Sequence, residues 1–198
     1  MSDAPALRAD AQKNRELILS AAEALFLEKG ATVPLEEVAK RAGVGIGTLY
    51  RRFPTREALL AATSNERFLS LAETSRARGP DLAPGDAIRA YLEELAENMG
   101  RYQSLAASIG AVIQCGTPGC LAITEEGHRL IHRGHEAGAI RSDVTYDDFI
   151  VVVTAISIAV ENDRSAASRI RHLVDLFLNG ISVKGTDYAS EYVATSAV

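Results

Sequence analysis

The 198-residue sequence contains no tryptophan, two methionines, two cysteines and only a 6% share of aromatics. Two cysteines do not make a disulfide scaffold, so a reducing setting is the default. The longest apolar run, residues 149–160, is interrupted by Thr154 and Ser157 and is far too short to span a bilayer as a helix. The first ten residues hold no apolar run of signal-peptide type. Internal repeats, low-complexity tracts and period-2 strand patterns with turn chemistry are missing. So are a Gly-rich phosphate loop, a nucleophile elbow and an acid–base pair at meaningful spacing. The expectation is a cytoplasmic, all-α protein that is not an enzyme and uses no cofactor.

What is present is an ordinary globular composition, 47% hydrophobic and 24% charged, in a chain long enough to bury a core. The charge is uneven. Residues 1–60 hold 9 Lys/Arg against 8 Asp/Glu, whereas residues 61–198 hold 12 against 18. Within the near-neutral head, the window 40–56 carries five cations (Lys40, Arg41, Arg51, Arg52, Arg56) and no acid. A basic window on an otherwise acidic chain points to a polyanion partner for the head alone.

Helical periodicity organises the chain. Residues 1–10 have no period and are expected to form a loose arm. Ile18, Ala22, Leu25 and Phe26 recur at helical spacing over 11–29, and Gly30 stops that helix. A short helix over 34–42 buries Leu35, Val38 and Ala39, with Pro34 in its first turn. Gly43 turns the chain into a third helix over 45–53, in which Ile46, Leu49 and Phe53 are expected to face the core. At 100° per residue, Thr48 and Arg51 then point the opposite way, with Gly47 and Arg52 beside them and Tyr50 on the flank. Pro54 ends this helix and Thr55 can cap the next, over 56–78. Arg78 through Gly85 is the clearest break. Helical patterns follow at about 86–99, 101–114, 119–137, 146–161 and 165–179, and residues 183–198 lose their period and are expected to be a flexible tail.

The stretch Asn14–Ala62 carries Asn-Arg-Glu-Leu-Ile-Leu, an Ala42-Gly43-Val44 turn, Gly47-Thr48-Leu49-Tyr50, Phe53-Pro54 and Arg56-Glu57-Ala58-Leu59-Leu60. In that order it resembles the DNA-binding head of TetR-family transcriptional repressors. The resemblance implies a three-helix helix-turn-helix head at 11–62 and a helical ligand-binding and dimerisation body at 63–182, with about nine helices in all. It implies double-stranded DNA, a palindromic operator, a small-molecule effector and a second copy of the chain as partners. Thr48 and Arg51 are the candidates for reaching base edges, and Tyr50, Arg52 and Arg56 for phosphates. Gly45 and Gly47 would let backbone approach the duplex. Pro34 stands where relatives often carry a phosphate-binding hydroxyl, leaving Thr32 as the candidate substitute. Relatives also commonly carry a polar residue in place of Gly45 or Ile46.

In the body, the apolar helix 146–161, with small residues Thr154, Ala155, Ser157 and Ala159, and the helix 165–179, with Ile170, Leu173, Val174, Phe177 and Leu178 on one face, are expected to form a four-helix bundle with a mate. Phe68, Tyr91, Leu95, Met99, Tyr102, Leu105, Ile109 and Ile113 offer a lining of apolar bulk and phenols for an effector pocket. An alternative reading is metal or thiol sensing. His128, His132 and His135 recur at i, i+4 and i+7, and Cys115 and Cys120 flank a Gly-Thr-Pro-Gly loop just before them. The Cys-x4-Cys spacing is untypical of zinc sites, and Arg129 and Arg133 crowd that helix.

Overall fold

The computed structural model describes residues 4–102, 104–163 and 165–182, and for residues 4–9 and Pro80 the backbone alone. Among the described residues there are nine α-helices and no strand: α1 (Ala4–Lys29), α2 (Leu35–Ala42), α3 (Ile46–Arg52), α4 (Arg56–Arg78), α5 (Pro84–Met99), α6 (Ile109–Gln114), α7 (Pro118–Glu136), α8 (Tyr146–Ala159) and α9 (Ala166–Ile181). Two expected boundaries move. α1 begins at Ala4 rather than near residue 11, so residues 4–10 are helical and not a loose arm. The span expected as one helix over 101–114 instead resolves into a 3₁₀ turn at Ala106–Ser108 and the short α6. Ser104 adopts φ 64°, a left-handed conformation that breaks a continuous helix there. The expected tail at 183–198 lies outside the described residues.

The head forms because α1 and the two short helices α2 and α3 share one core. Ile18, Ala22, Leu25 and Phe26 of α1 are fully or nearly buried, and so are Val38 of α2 and Leu49 of α3. The α2–α3 turn depends on Gly43, whose φ of 67° is cheap only without a Cβ. Its N–H closes onto the Ala39 and Lys40 carbonyls, and the Val44 N–H onto Ala39 O at 3.0 Å. Thr55 then caps α4, its hydroxyl accepting from the Ala58 N–H at 3.1 Å.

α4 links head to body. It packs on α1 at one end and makes its most extensive contact with α7 along the rest. That packing is close: the Gly119 N–H donates to Asn65 Oδ1 at 2.8 Å, and a Cβ on Gly119 would lie 2.4 Å from the Asn65 carbonyl oxygen. Further along, Glu126 of α7 is fully buried. It accepts from the Ser75 hydroxyl of α4 at 2.6 Å and from Arg129 at 2.7 and 2.8 Å. Burial pushes the Glu126 carboxyl up, but the Arg129 and Ser75 hydrogen bonds and the Arg129 and Arg76 charges outweigh it, leaving the group below its ordinary value. A second bridge joins head to body through Tyr102, whose ring lies 5.6 Å from that of Phe26. Arg67 stacks 4.8 Å above the Tyr102 ring and donates to its hydroxyl at 2.7 Å.

Part of the face expected to meet a mate is turned inward. Ile170, Val174 and Leu178 of α9 are buried within the chain, where α9 lies against α5 and α8, and Ser157 of α8 is sealed by hydrogen bonds to the Ala96 and Val153 carbonyls. The apolar groups these helices leave outside are Val151, Ala155, Ile158 and Ala159 on α8 and Ala167 and Leu176 on α9.

Candidate nucleic-acid interface

α3 is held by its inner residues and presents the others. Leu49 is fully buried and Phe53, at the helix end, nearly so. The expected third anchor, Ile46, is 38% exposed. Val44, in the turn just before, packs against the core, and Leu49 and Phe53 anchor the helix without Ile46. Ile46 therefore shares an exposed edge with Tyr50 one turn on, itself 44% exposed.

Around that edge the predicted contact residues fall in three groups. Gly45, Gly47, Arg51 and Arg52 are exposed, and no atom lies within 4 Å of where a Cβ on either glycine would sit. Thr48 is half-buried, and its hydroxyl accepts from Arg51 Nη2 at 3.1 Å, which holds the guanidinium against the helix. A recess of about 440 Å³ lies elsewhere, between α4 and α5, whereas one of about 310 Å³ opens beside α3, lined by Ala11, Asn14, Thr48, Arg51 and Arg52. The first half of α1 thus forms a wall beside the outward face of α3. Thr32 is exposed in the α1–α2 turn, two residues before Pro34, the α2 cap.

Arg56 departs most from the expectation of a cation facing solvent. It is half-buried, and its Nη1 donates to the carbonyls of Ala31 and Val33 at 2.8 and 2.5 Å. The side chain braces the α1–α2 turn against the start of α4. Arg41 is also engaged, donating to Glu28 at 2.7 Å, and that hydrogen bond holds the Glu28 carboxyl below its ordinary value. The acid-free face that remains on α3 itself is Arg51 and Arg52.

The body sites resolve less as expected. Phe68, Tyr91, Leu95, Met99, Tyr102, Leu105 and Ile109 are buried in one continuous core, with Ile113 partly buried against it. Tyr91 donates to Ile123 O at 2.7 Å, and burial raises its phenol well above the ordinary value, so it stays neutral. The α4–α5 groove is lined by Glu66, Arg67, Ser70, Leu71, Thr74, Glu94 and Asn98, not by any of those eight.

The histidines do not converge. His128 lies 4.9 Å from the Tyr146 ring, His132 pairs with Glu136 at 3.2 Å, and His135 buries an unpartnered Nε2. Among the described residues no three His, Cys, Asp or Glu side chains are placed to hold a metal. A shared helical face does not bring side chains together when each finds its own neighbour, and the three histidines of the metal-sensing alternative are not gathered here. Cys115 and Cys120 are both free thiols, donating to Ala111 O and Val112 O, each at 3.3 Å. Burial raises both, opposite to the depressed pKa that makes a thiol reactive.

A short helix pinned by a buried leucine and phenylalanine, following a glycine turn and showing an acid-free cationic face, has the geometry of a helix-turn-helix DNA reader. Comparison with known proteins agrees. Residues 18–63 match the family of bacterial regulatory proteins, tetR family, and residues 83–183 match the SbtR-like transcriptional regulator C-terminal domain. The chain is 31% identical to the TetR transcriptional regulator SCO0520 of Streptomyces coelicolor, covering 85% of this chain and 98% of that one, with a TM-score of 0.53. A crystal structure of RolR in complex with resorcinol shares the fold, with a TM-score of 0.67 at 18% identity over 89% of this chain and 91% of that one. A curated relative, the HTH-type transcriptional regulator SAR0097 of Staphylococcus aureus, is 40% identical over 63 residues, 30% of this chain. That match spans only 32% of the relative's length. The protein belongs to the TetR family of transcriptional regulators.

Proposed function

We propose that the chain is a cytoplasmic repressor that binds a palindromic operator as a homodimer and is released by a small molecule. The observation that carries the DNA reading is the α3 face, where Thr48, Arg51 and Arg52 stand outward on a helix whose opposite side is sealed by Leu49. In this reading Arg51 offers a guanidinium fork to a guanine edge and Thr48 its hydroxyl or methyl to the neighbouring base. Tyr50, Arg52 and Thr32 take phosphates, and Gly45 and Gly47 allow close approach. Arg56 acts chiefly by fixing the turn that carries Thr32, with its outer nitrogen left for a phosphate.

One recognition helix covers too few base pairs to be selective, and a two-fold pair reading two half-sites supplies the rest. The mate is taken on the exposed stripe of Val151, Ala155, Ile158 and Ala159 with Leu176, in place of the inner α9 face. We assign residues 11–62 to reading DNA and 63–182 to pairing and effector binding, with α4 running through both. RolR, whose structure holds resorcinol, supports a body that admits a small organic molecule. Here the core side chains Phe68, Tyr91, Leu95, Met99, Tyr102, Leu105, Ile109 and Ile113 would have to part to receive one. The effector shifts the spacing of the two heads by as much as its affinity differs between the two spacings. Electrophoretic retardation of the DNA flanking the protein's own gene tests the reading. A shifted band that survives excess random duplex supports it, and no retardation at micromolar protein refutes it.

A further inference from the structure

We propose that Ile46 reads the C5-methyl group of a thymine in the major groove, fixing a T·A pair in each half-site of the operator. The inference rests on the DNA-binding reading above and adds to it a base contact made without hydrogen bonds.

A single exposed apolar residue is ordinary on a protein surface; what distinguishes Ile46 is its position. It is the first residue of α3, and in helix-turn-helix proteins the residues at the start of the recognition helix are those that meet base edges. It has glycine on both sides, and the space around both glycines is open, so no neighbouring side chain holds a base away from it. It is 38% exposed while Val44 packs against the core and Leu49 is fully buried, so the helix is anchored without it. The surroundings are acid-free within α3 and end in Arg51 and Arg52, a charge pattern that selects a polyanion as the surface to cover this edge. In the major groove the only apolar group a standard base pair displays is the thymine methyl, and it is the partner of apolar side chains there. A β-branched isoleucine suits the role because its χ1 is already restricted in a helix and little freedom is lost on contact.

The thymine methyl can be removed without other change by replacing thymine with deoxyuridine. Duplexes bound by the full-length protein are first selected from a random library. Each thymine of the selected site is then replaced in turn by deoxyuridine, and affinity is measured by fluorescence anisotropy for wild type and Ile46→Ala. Losing one buried methyl corresponds to about fourfold in Kd per half-site, or roughly fifteenfold when both symmetric thymines are changed. Wild type should show that loss at one thymine per half-site. Ile46→Ala should bind the unmodified site more weakly and be indifferent to uracil at that position, with its thermal midpoint unchanged. Wild-type indifference to uracil at every thymine overturns the inference, as does an Ile46→Ala protein that loses as much as wild type on the same replacement. A library that yields no selected sequence sinks the DNA reading itself, whereas a selected site insensitive to uracil sinks only the role of Ile46.

Discussion

Replacing Gly119 by alanine tests whether α7 is seated on α4 as tightly as the structure has it. The added Cβ would lie 2.4 Å from the Asn65 carbonyl oxygen and 3.0 Å from the Phe68 Cβ. Both belong to α4, and the nearer is backbone, which cannot rotate away. The two helices must separate by close to an ångström, which lengthens the Gly119 N–H to Asn65 Oδ1 bond, now 2.8 Å. Overpacking of this kind costs about 1–3 kcal/mol. The propensity gain of alanine over glycine, about 1 kcal/mol in a helix interior, is smaller in the first turn, where Gly119 sits. A net loss of about 2 kcal/mol lowers the thermal midpoint by roughly 4–8 °C for a chain of this size. Gly47→Ala provides the matched control, because nothing lies within 4 Å of its Cβ position. That substitution should leave the midpoint unchanged or raise it slightly, while weakening DNA binding if backbone meets the duplex there. Differential scanning fluorimetry on the two variants decides the matter. A Gly119→Ala midpoint equal to or above that of wild type would refute the close seating.

Other outcomes follow from the same geometry. Arg56→Ala removes a guanidinium that two carbonyls of the α1–α2 turn accept from, Ala31 O and Val33 O. It should lower stability by about 2 kcal/mol as read by urea denaturation; a purely phosphate-binding arginine would leave the unfolding midpoint unmoved. Glu126 has a folded-state pKa below its ordinary 4.5. Its contribution is therefore present above that value and is lost as pH falls through the folded value. Glu126→Gln should cost about 2 kcal/mol at pH 7, and the gap to wild type should close progressively below about pH 4.5; a gap that is constant with pH would contradict the charged pairing. Leu176→Glu, placing charge on the exposed α9 stripe, should give a monomer by light scattering at micromolar concentration while keeping the helical circular dichroism of wild type.

The helices were legible because their cores are: Ile18, Ala22, Leu25 and Phe26 announce α1, and Leu49 with Phe53 announces the inner side of α3. What periodicity could not see were the effects of neighbours. Ile46 has the spacing of a core residue, but it is exposed, and Val44 outside the helix packs against the core instead. Arg56 lies in a stretch that resembles a phosphate clamp, yet its nearest acceptors are carbonyls 23 and 25 residues earlier, a contact no local pattern encodes. On α9 the most regular apolar face, Ile170, Val174 and Leu178, is turned inward, Leu173 and Phe177 are partly buried beside it, and Leu176 is exposed. The continuity of helix over 101–114 failed at Ser104, whose left-handed backbone has no signature in residue type. Ser104 is also tied to the turn after α8, its N–H donating to the Glu161 carboxylate. The three histidines recur at the right interval, but interval fixes only the direction of the Cα–Cβ bonds and not where the rings end.

The central claim is that the outward face of α3 discriminates DNA sequence. The most direct measurement compares wild type and Arg51→Ala on a selected duplex and on a scrambled duplex of equal length, by fluorescence anisotropy at several salt concentrations. Wild type should bind the selected duplex at least about 10³-fold more tightly than the scrambled one. Arg51→Ala should lose about 1–3 kcal/mol on the selected duplex alone, with little change on the scrambled one. Equal wild-type affinity for both duplexes would contradict the account.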